Sequence, residues 1–146
     1  MNRITPRALL AALLSIVFLA LAMVHVYWAL GGQSGRLEAV PSLHGRPLFT
    51  PSPLATLLVA LALVVAAAIV AGTVGWIHRP VSTRVFRVLT IVMSLVFFVR
   101  AVGDFRYVGF FKSARDTRFA YWDSLLYSPL CLGIAVAAFL VARLKR

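Results

Sequence analysis

The sequence predicts an all-α protein, a four-helix transmembrane bundle running up-down-up-down with a proline-kinked fourth helix. Two observations predict it. Of the 146 residues, 62% are hydrophobic and only 13% are charged, whereas a soluble domain carries about 25% charged residues and about 45–50% apolar ones. The apolar residues also fall into four long runs separated by short basic or turn-rich stretches, and a chain with so little polar surface needs lipid as its solvent. A net charge of +11 points away from nucleic acid here. Nucleic-acid binding wants basic residues gathered on one water-facing surface, and these punctuate apolar segments instead.

The first span, about 8–30, is interrupted only by Ser15 and His25 before its end and is long enough to cross ~30 Å of hydrocarbon. Arg3 and Arg7 ahead of this run, with Ala20 and Ala22 inside it, also fit a cleaved signal peptide. The apolar pattern continues past that pair to Tyr27 and Trp28, an interfacial anchor that favours a retained helix. The second span, about 53–77, opens after Thr50-Pro51-Ser52-Pro53. Ser52 can cap it, and Pro53 at its first position forfeits no helical hydrogen bond. Ala67, Ala71 and Gly75 recur every four residues, a small-residue stripe suited to close helix packing.

The third span covers about 85–102 and carries Arg100 near its end. The apolar segment after Pro129 reaches only ~21 Å at 1.5 Å per residue, too short to cross, so the fourth span is placed at about 121–142 with Pro129 in its interior. The proline removes the bond to the carbonyl of Leu125 and should kink or break the helix. All four spans form a single integral membrane domain, 1–146. Ser52-Pro53-Leu54 recurs as Ser128-Pro129-Leu130, which fits a duplicated hairpin.

Lys and Arg set the orientation. Arg3, Arg7, Arg79, Arg84, Arg87, Arg143, Lys145 and Arg146 put eight cations on the side holding both termini; Arg36, Arg46, Arg106, Lys112, Arg115 and Arg118 put six on the other. The rule places both termini in the cytoplasm. The basic last loop runs against that rule, so its cations are expected to pair with Asp104, Asp116 and Asp123 or with an anionic ligand. Seven of the chain's 17 aromatics lie in the 18 residues from Phe105 to Trp122, which reads as a segment at headgroup level, rings down and cations out.

Ionisable groups in or near spans are functional candidates by default. His25, Asp104 and Asp123 are candidate acids and bases, since imidazole changes charge near neutral pH. Arg100 and Asp104 are four residues apart and pair on one helix face, although in the less favourable order. Asp123 is read as capping the fourth helix or sitting in its first turn, favoured by the helix dipole, with Tyr127 one turn later beside the proline kink. The one cysteine, Cys131, excludes an intrachain disulfide, and with His44 and His78 on opposite sides of the membrane no metal site is expected. No motif for zinc proteolysis, nucleotide hydrolysis, serine hydrolysis or dithiol chemistry is present. No cofactor can be read from the residues.

The blocks His25-Val26-Tyr27-Trp28-Ala29-Leu30-Gly31-Gly32, Arg100-Ala101-Val102-Gly103-Asp104-Phe105-Arg106-Tyr107-Val108-Gly109-Phe110-Phe111-Lys112 and Tyr127-Ser128-Pro129-Leu130-Cys131-Leu132 resemble the signature of a domain-of-unknown-function family of small bacterial four-span membrane proteins. The resemblance implies four helices in a bacterial inner membrane and carries no catalytic assignment.

The leading functional expectation is a non-enzymatic protein that binds a lipid headgroup or another anionic, amphipathic small molecule at the outer helix ends. Arg100, Arg106 and Lys112 would hold the anion, and Trp28, Tyr107 and Tyr127 the apolar part. One alternative is a membrane enzyme or proton-coupled carrier using His25 with Asp104 or Asp123. Another is a scaffold subunit of a membrane complex. The bilayer is the expected partner and nucleic acid is not; the residues do not give an oligomeric state.

Overall fold

A computed structural model describes residues 5–43, 46–77 and 82–144. His44, His78, Arg3, Arg79, Lys145 and Arg146 lie outside the described residues. Four helical segments are long and apolar enough to cross a membrane: Pro6–Ala29, Pro53–Val74, Thr83–Val102 and Arg118–Arg143. The first three are helices α1, α2 and α3. The fourth is composite, with α4 at Arg118–Trp122, a π-helical turn at Asp123–Tyr127 and α5 at Ser128–Arg143. A two-stranded hairpin, β1 Ser42–Leu43 against β2 Arg46–Pro47, decorates the first loop.

Local chemistry explains the helix ends. Thr5 and Ser52 accept hydrogen bonds from Ala8 and Ala55 N–H and cap α1 and α2, each followed by proline at the first helical position. Both helices stop at a glycine in the left-handed region. Gly75 (φ +84°) sends its N–H to the Gly72 carbonyl, while Trp76 N–H reaches Ala71; Gly31 (φ +99°) does the same at the end of α1, with Gly32 N–H on the Tyr27 carbonyl. Gly75 therefore terminates α2 and does not continue a packing stripe.

The core is built from small residues. Ala11, Ala22, Ala60, Ala66, Ala67 and Ala138 are buried with Leu14, Phe18, Leu63, Val70, Ile134 and Val141, and the large side chains of Leu9, Ile16, Leu58, Leu61 and Leu95 point outward. In lipid, outward leucines lose nothing, whereas small inward residues let helices approach. Gly72 lies against the Phe86 ring, where a Cβ would overlap it. Phe18 of α1 meets Phe97 of α3 at 5.6 Å between centroids.

Polar contacts fix the topology. At one end Arg7, only 3% exposed, donates to the carbonyls of Thr73 (2.8 Å) and Val141 (3.0 Å). Both carbonyls lie in the last turns of their helices, so the guanidinium sits at two negative helix ends. The start of α1 and the ends of α2 and α5 thus share one end of the bundle, the terminal end. Ser94 of α3 donates to the Ala135 carbonyl of α5 (2.8 Å). The Thr73 and Thr90 hydroxyls, 2.8 Å apart, join α2 to α3. Each also reaches its own helix at Ile69 or Phe86, so two protons serve three contacts.

The fourth span begins at Arg118 rather than near Tyr121. Thr117 caps it by accepting from Ala120 N–H (3.0 Å), so Asp123 is not its cap. Pro129 does not break it. The missing N–H is absorbed by the π turn, whose following Ser128 N–H bonds the Asp123 carbonyl five residues back. Ser52 and Ser128 accordingly do different work: the first caps a helix and the second lies inside one, which gives the duplicated-hairpin reading no support.

Candidate functional site

The loop end of the bundle holds a buried ion cluster centred on Asp123. Helix α3 ends at Gly103, whose φ of +94° and ψ of −171° turn the chain sharply out of the helix. The backbone then folds back. Phe110 N–H donates to the Ala101 carbonyl (2.8 Å) and Phe111 N–H to Val102 (3.5 Å), taking up carbonyls that the helix leaves open. The return packs Gly109 (φ +88°) against Gly103, and a Cβ on either would run into the backbone of the opposite strand of the turn. Only glycine fits both positions.

Asp104 organises this turn. Its Oδ1 accepts from the N–H groups of Arg106 (2.9 Å), Tyr107 (2.6 Å) and Val108 (2.9 Å). Desolvation pushes its carboxyl upward, but the amide donors of Val108, Tyr107 and Arg106 outweigh that and hold it below the usual carboxylate range. The expected pairing of Arg100 with Asp104 is not formed. Gly103 takes Asp104 off the helix, so the two side chains no longer sit one above the other, and Arg100 turns to Asp123.

Asp123 is fully buried. Its Oδ1 accepts from Arg100 Nη2 at 2.7 Å. Its Oδ2 accepts from Gly109 N–H (2.8 Å), Lys112 Nζ (3.0 Å) and Ser128 Oγ (3.1 Å). Lys112, 2% exposed, also donates to the Gly109 carbonyl (3.0 Å) and the Ser124 hydroxyl (2.7 Å). All three of its protons thus have acceptors within the protein. The π turn makes the Ser128 contact feasible. In an α-helix, residues five apart point about 140° away from each other, but the wider turn brings them together.

The remaining residues singled out in the sequence lie around this cluster. Arg106 is exposed and stacks over the Tyr107 ring at 5.1 Å. Tyr127 packs on Phe119 (6.1 Å), which is buried. His25 Nδ1 donates to the Leu21 carbonyl of its own helix (2.8 Å), and its ring meets Trp28 edge-on at 5.2 Å. Trp28 Nε1 donates to the Ser34 carbonyl (2.8 Å). Among the described residues, no hydrogen bond joins His25 to Asp104 or Asp123. Nor does any trio of His, Cys, Asp or Glu converge among the described residues.

The segment from Phe105 to Trp122 is not uniformly rings down and cations out. Lys112 turns inward to Asp123, Arg115 Nε caps the Lys112 carbonyl (3.3 Å), and Arg118 reaches Glu38 of the first loop (3.4 Å). Sequence reasoning missed Gly103, Gly109, Thr117 and Ser128 as the residues that shape the site. A Thr ahead of Arg118-Phe119-Ala120 was the available signal for the helix start.

The cluster carries two cations on one carboxylate, and so one surplus positive charge. Arg100 remains about one-third exposed, and its Nη1 is buried with no hydrogen-bond partner. Such an arrangement can attract an anion, and it can equally bind α3, the last loop and the fourth span into one body. No curated protein and no solved structure matches the chain. A family model described as a protein of unknown function, DUF3995, matches residues 18–138, and the chain, with four helices long and apolar enough to span a membrane among its described residues, belongs to that family.

Proposed function

We propose that the chain is a non-enzymatic, multi-pass protein of the bacterial inner membrane, with both termini in the cytoplasm, that binds the anionic head of a lipid or similar amphipathic molecule at the outer ends of its helices. The observation that carries this reading is the surplus charge. Among the described residues, Arg100 and Lys112 share Asp123 as their one carboxylate partner, and an uncompensated cation at membrane depth is costly unless an anion approaches it. Two features of Arg100 support its meeting that anion: its side chain is about one-third exposed, and its carboxylate partner is shared with Lys112. Arg106 on Tyr107 extends the positive field at the same end. Lys112 is a positioning residue, since its protons are taken. The acid–base alternative draws no support from His25, which is turned to its own helix.

The test is native mass spectrometry of the protein released from nanodiscs of mixed phosphatidylglycerol and phosphatidylcholine. Wild type should retain phosphatidylglycerol selectively, and Arg100→Gln should lose that selectivity, with Arg100→Lys retaining part of it. Equal phosphatidylglycerol retention by Arg100→Gln, in protein whose thermal unfolding remains cooperative, rejects the reading. Phosphatase fusions at the two termini and in the 31–52 loop test the orientation, activity being expected from the loop fusion alone.

A further inference from the structure

The first loop forms an open pocket of about 230 Å3 lined by residues of 33–40 and 47–51, none of them part of the Asp123 cluster. The loop is held in shape by its own backbone. Ala39 N–H bonds the Gly35 carbonyl, Leu48 N–H bonds Pro41 (2.8 Å), and the β1–β2 pair closes it. Leu37, Val40, Pro47 and Phe49 supply apolar walls, and Val40 is itself buried. Arg36 faces the same space. Its guanidinium makes one hydrogen bond among the described residues, a long one of 3.5 Å to the Pro51 carbonyl. No carboxylate is among the described lining residues.

Waters held there need two to four polar partners each, and these walls offer few. A ligand with an apolar body would gain by displacing them, and an anionic head would take the unused donors of the guanidinium, a planar fork that matches a carboxylate. The volume is below the roughly 300–1,000 Å3 typical of drug-sized ligands, which restricts the occupant to a short chain or a single ring. We propose that this cavity is a second binding site, for a small amphipathic monocarboxylate, with Arg36 holding the carboxylate and the Val40–Phe49 wall holding the alkyl or aryl body. It is independent of the site at Arg100.

Saturation-transfer NMR on the full chain in phosphatidylcholine nanodiscs, titrated with hexanoate, tests this. Hexanoate should bind, with the signal strongest on its terminal methyl; hexanol and inorganic phosphate should each bind at least tenfold more weakly. Arg36→Gln should weaken hexanoate at least tenfold and Val40→Trp should abolish its signal, while Arg100→Gln leaves it unchanged. Hexanol binding as well as hexanoate, phosphate binding as well as hexanoate, or Arg36→Gln binding like wild type in a cooperatively unfolding protein would each overturn the proposal.

Discussion

Asp104 and Asp123 are separated by 19 positions and do opposite work. Asp104 is exposed and spends one oxygen on three backbone amides, whereas Asp123 is buried and spends both on side chains and one amide. Spacing on a helix favours Arg100 with Asp104, but that rule holds only while the helix continues, and Gly103 ends it. Pairing across 23 residues has no local signature, so Arg100–Asp123 was not legible in the sequence; that Asp123, Arg100 and Lys112 matter was legible, from the cost of charge near lipid. The Asp104 carboxyl is depressed in the folded protein. Its contribution to the turn is therefore complete above the ordinary value of about 3.9 and is lost as pH falls through the lower folded value. The amide resonances of Arg106, Tyr107 and Val108 should titrate together with a midpoint below about 3.9. A midpoint at or above that figure would contradict the amide-held carboxylate.

At the scale of elements, the four apolar runs were readable because helix length and hydropathy suffice for them. Their ends were readable where a cap or proline marked them, as at Ser52-Pro53. The π turn was not, because proline specifies that a hydrogen bond is lost and not how the chain absorbs the loss. The turn after α3 was hidden for a related reason. Gly103 and Gly109 reveal themselves only when the backbone is seen to close on itself. The left-handed glycines therefore differ in what a methyl group would meet. At Gly31 a Cβ has open space, so Gly31→Ala should cost only the backbone strain, about 1 kcal/mol. At Gly109 the same strain is joined by overlap with Val102 and Gly103, and relief would pull the Gly109 N–H away from Asp123. Gly109→Ala should cost at least about 3 kcal/mol, with a correspondingly larger fall in Tm in detergent than Gly31→Ala. Equal falls for the two would show that the Gly103–Gly109 approach is not what shapes the site.

Across the whole molecule, a charge of +11 separates into cations that lie at the surface and cations that hold the bundle. Arg84 and Arg87 are exposed near the terminal end and fit the topology rule as read from the sequence. Arg7 counted there only as a topology marker, yet it is buried and ties the start of α1 to carbonyls in the last turns of α2 and α5. Lys112 and Arg100 do the equivalent at the loop end through Asp123. The bundle is thus pinned at its terminal end by buried Arg7 and at its loop end by buried Lys112 and partly exposed Arg100, with small residues and hydroxyl contacts between. The two pins are a helix length apart, ~36 Å for the 24 residues of α1, and share no side-chain partner among the described contacts. Arg7→Gln should cost about 2–3 kcal/mol, since it removes charge-assisted hydrogen bonds to two carbonyls from a buried position. Asp123→Asn should cost about 3–5 kcal/mol, since it strands a buried lysine. Independent pins predict that the double variant loses the sum of the two within about 0.5 kcal/mol, measured by reversible unfolding in mixed micelles. A departure of more than about 1 kcal/mol would mean that the polar contacts at Thr73, Thr90 and Ser94 couple the ends, and that the bundle responds at its terminal face to what binds at the other.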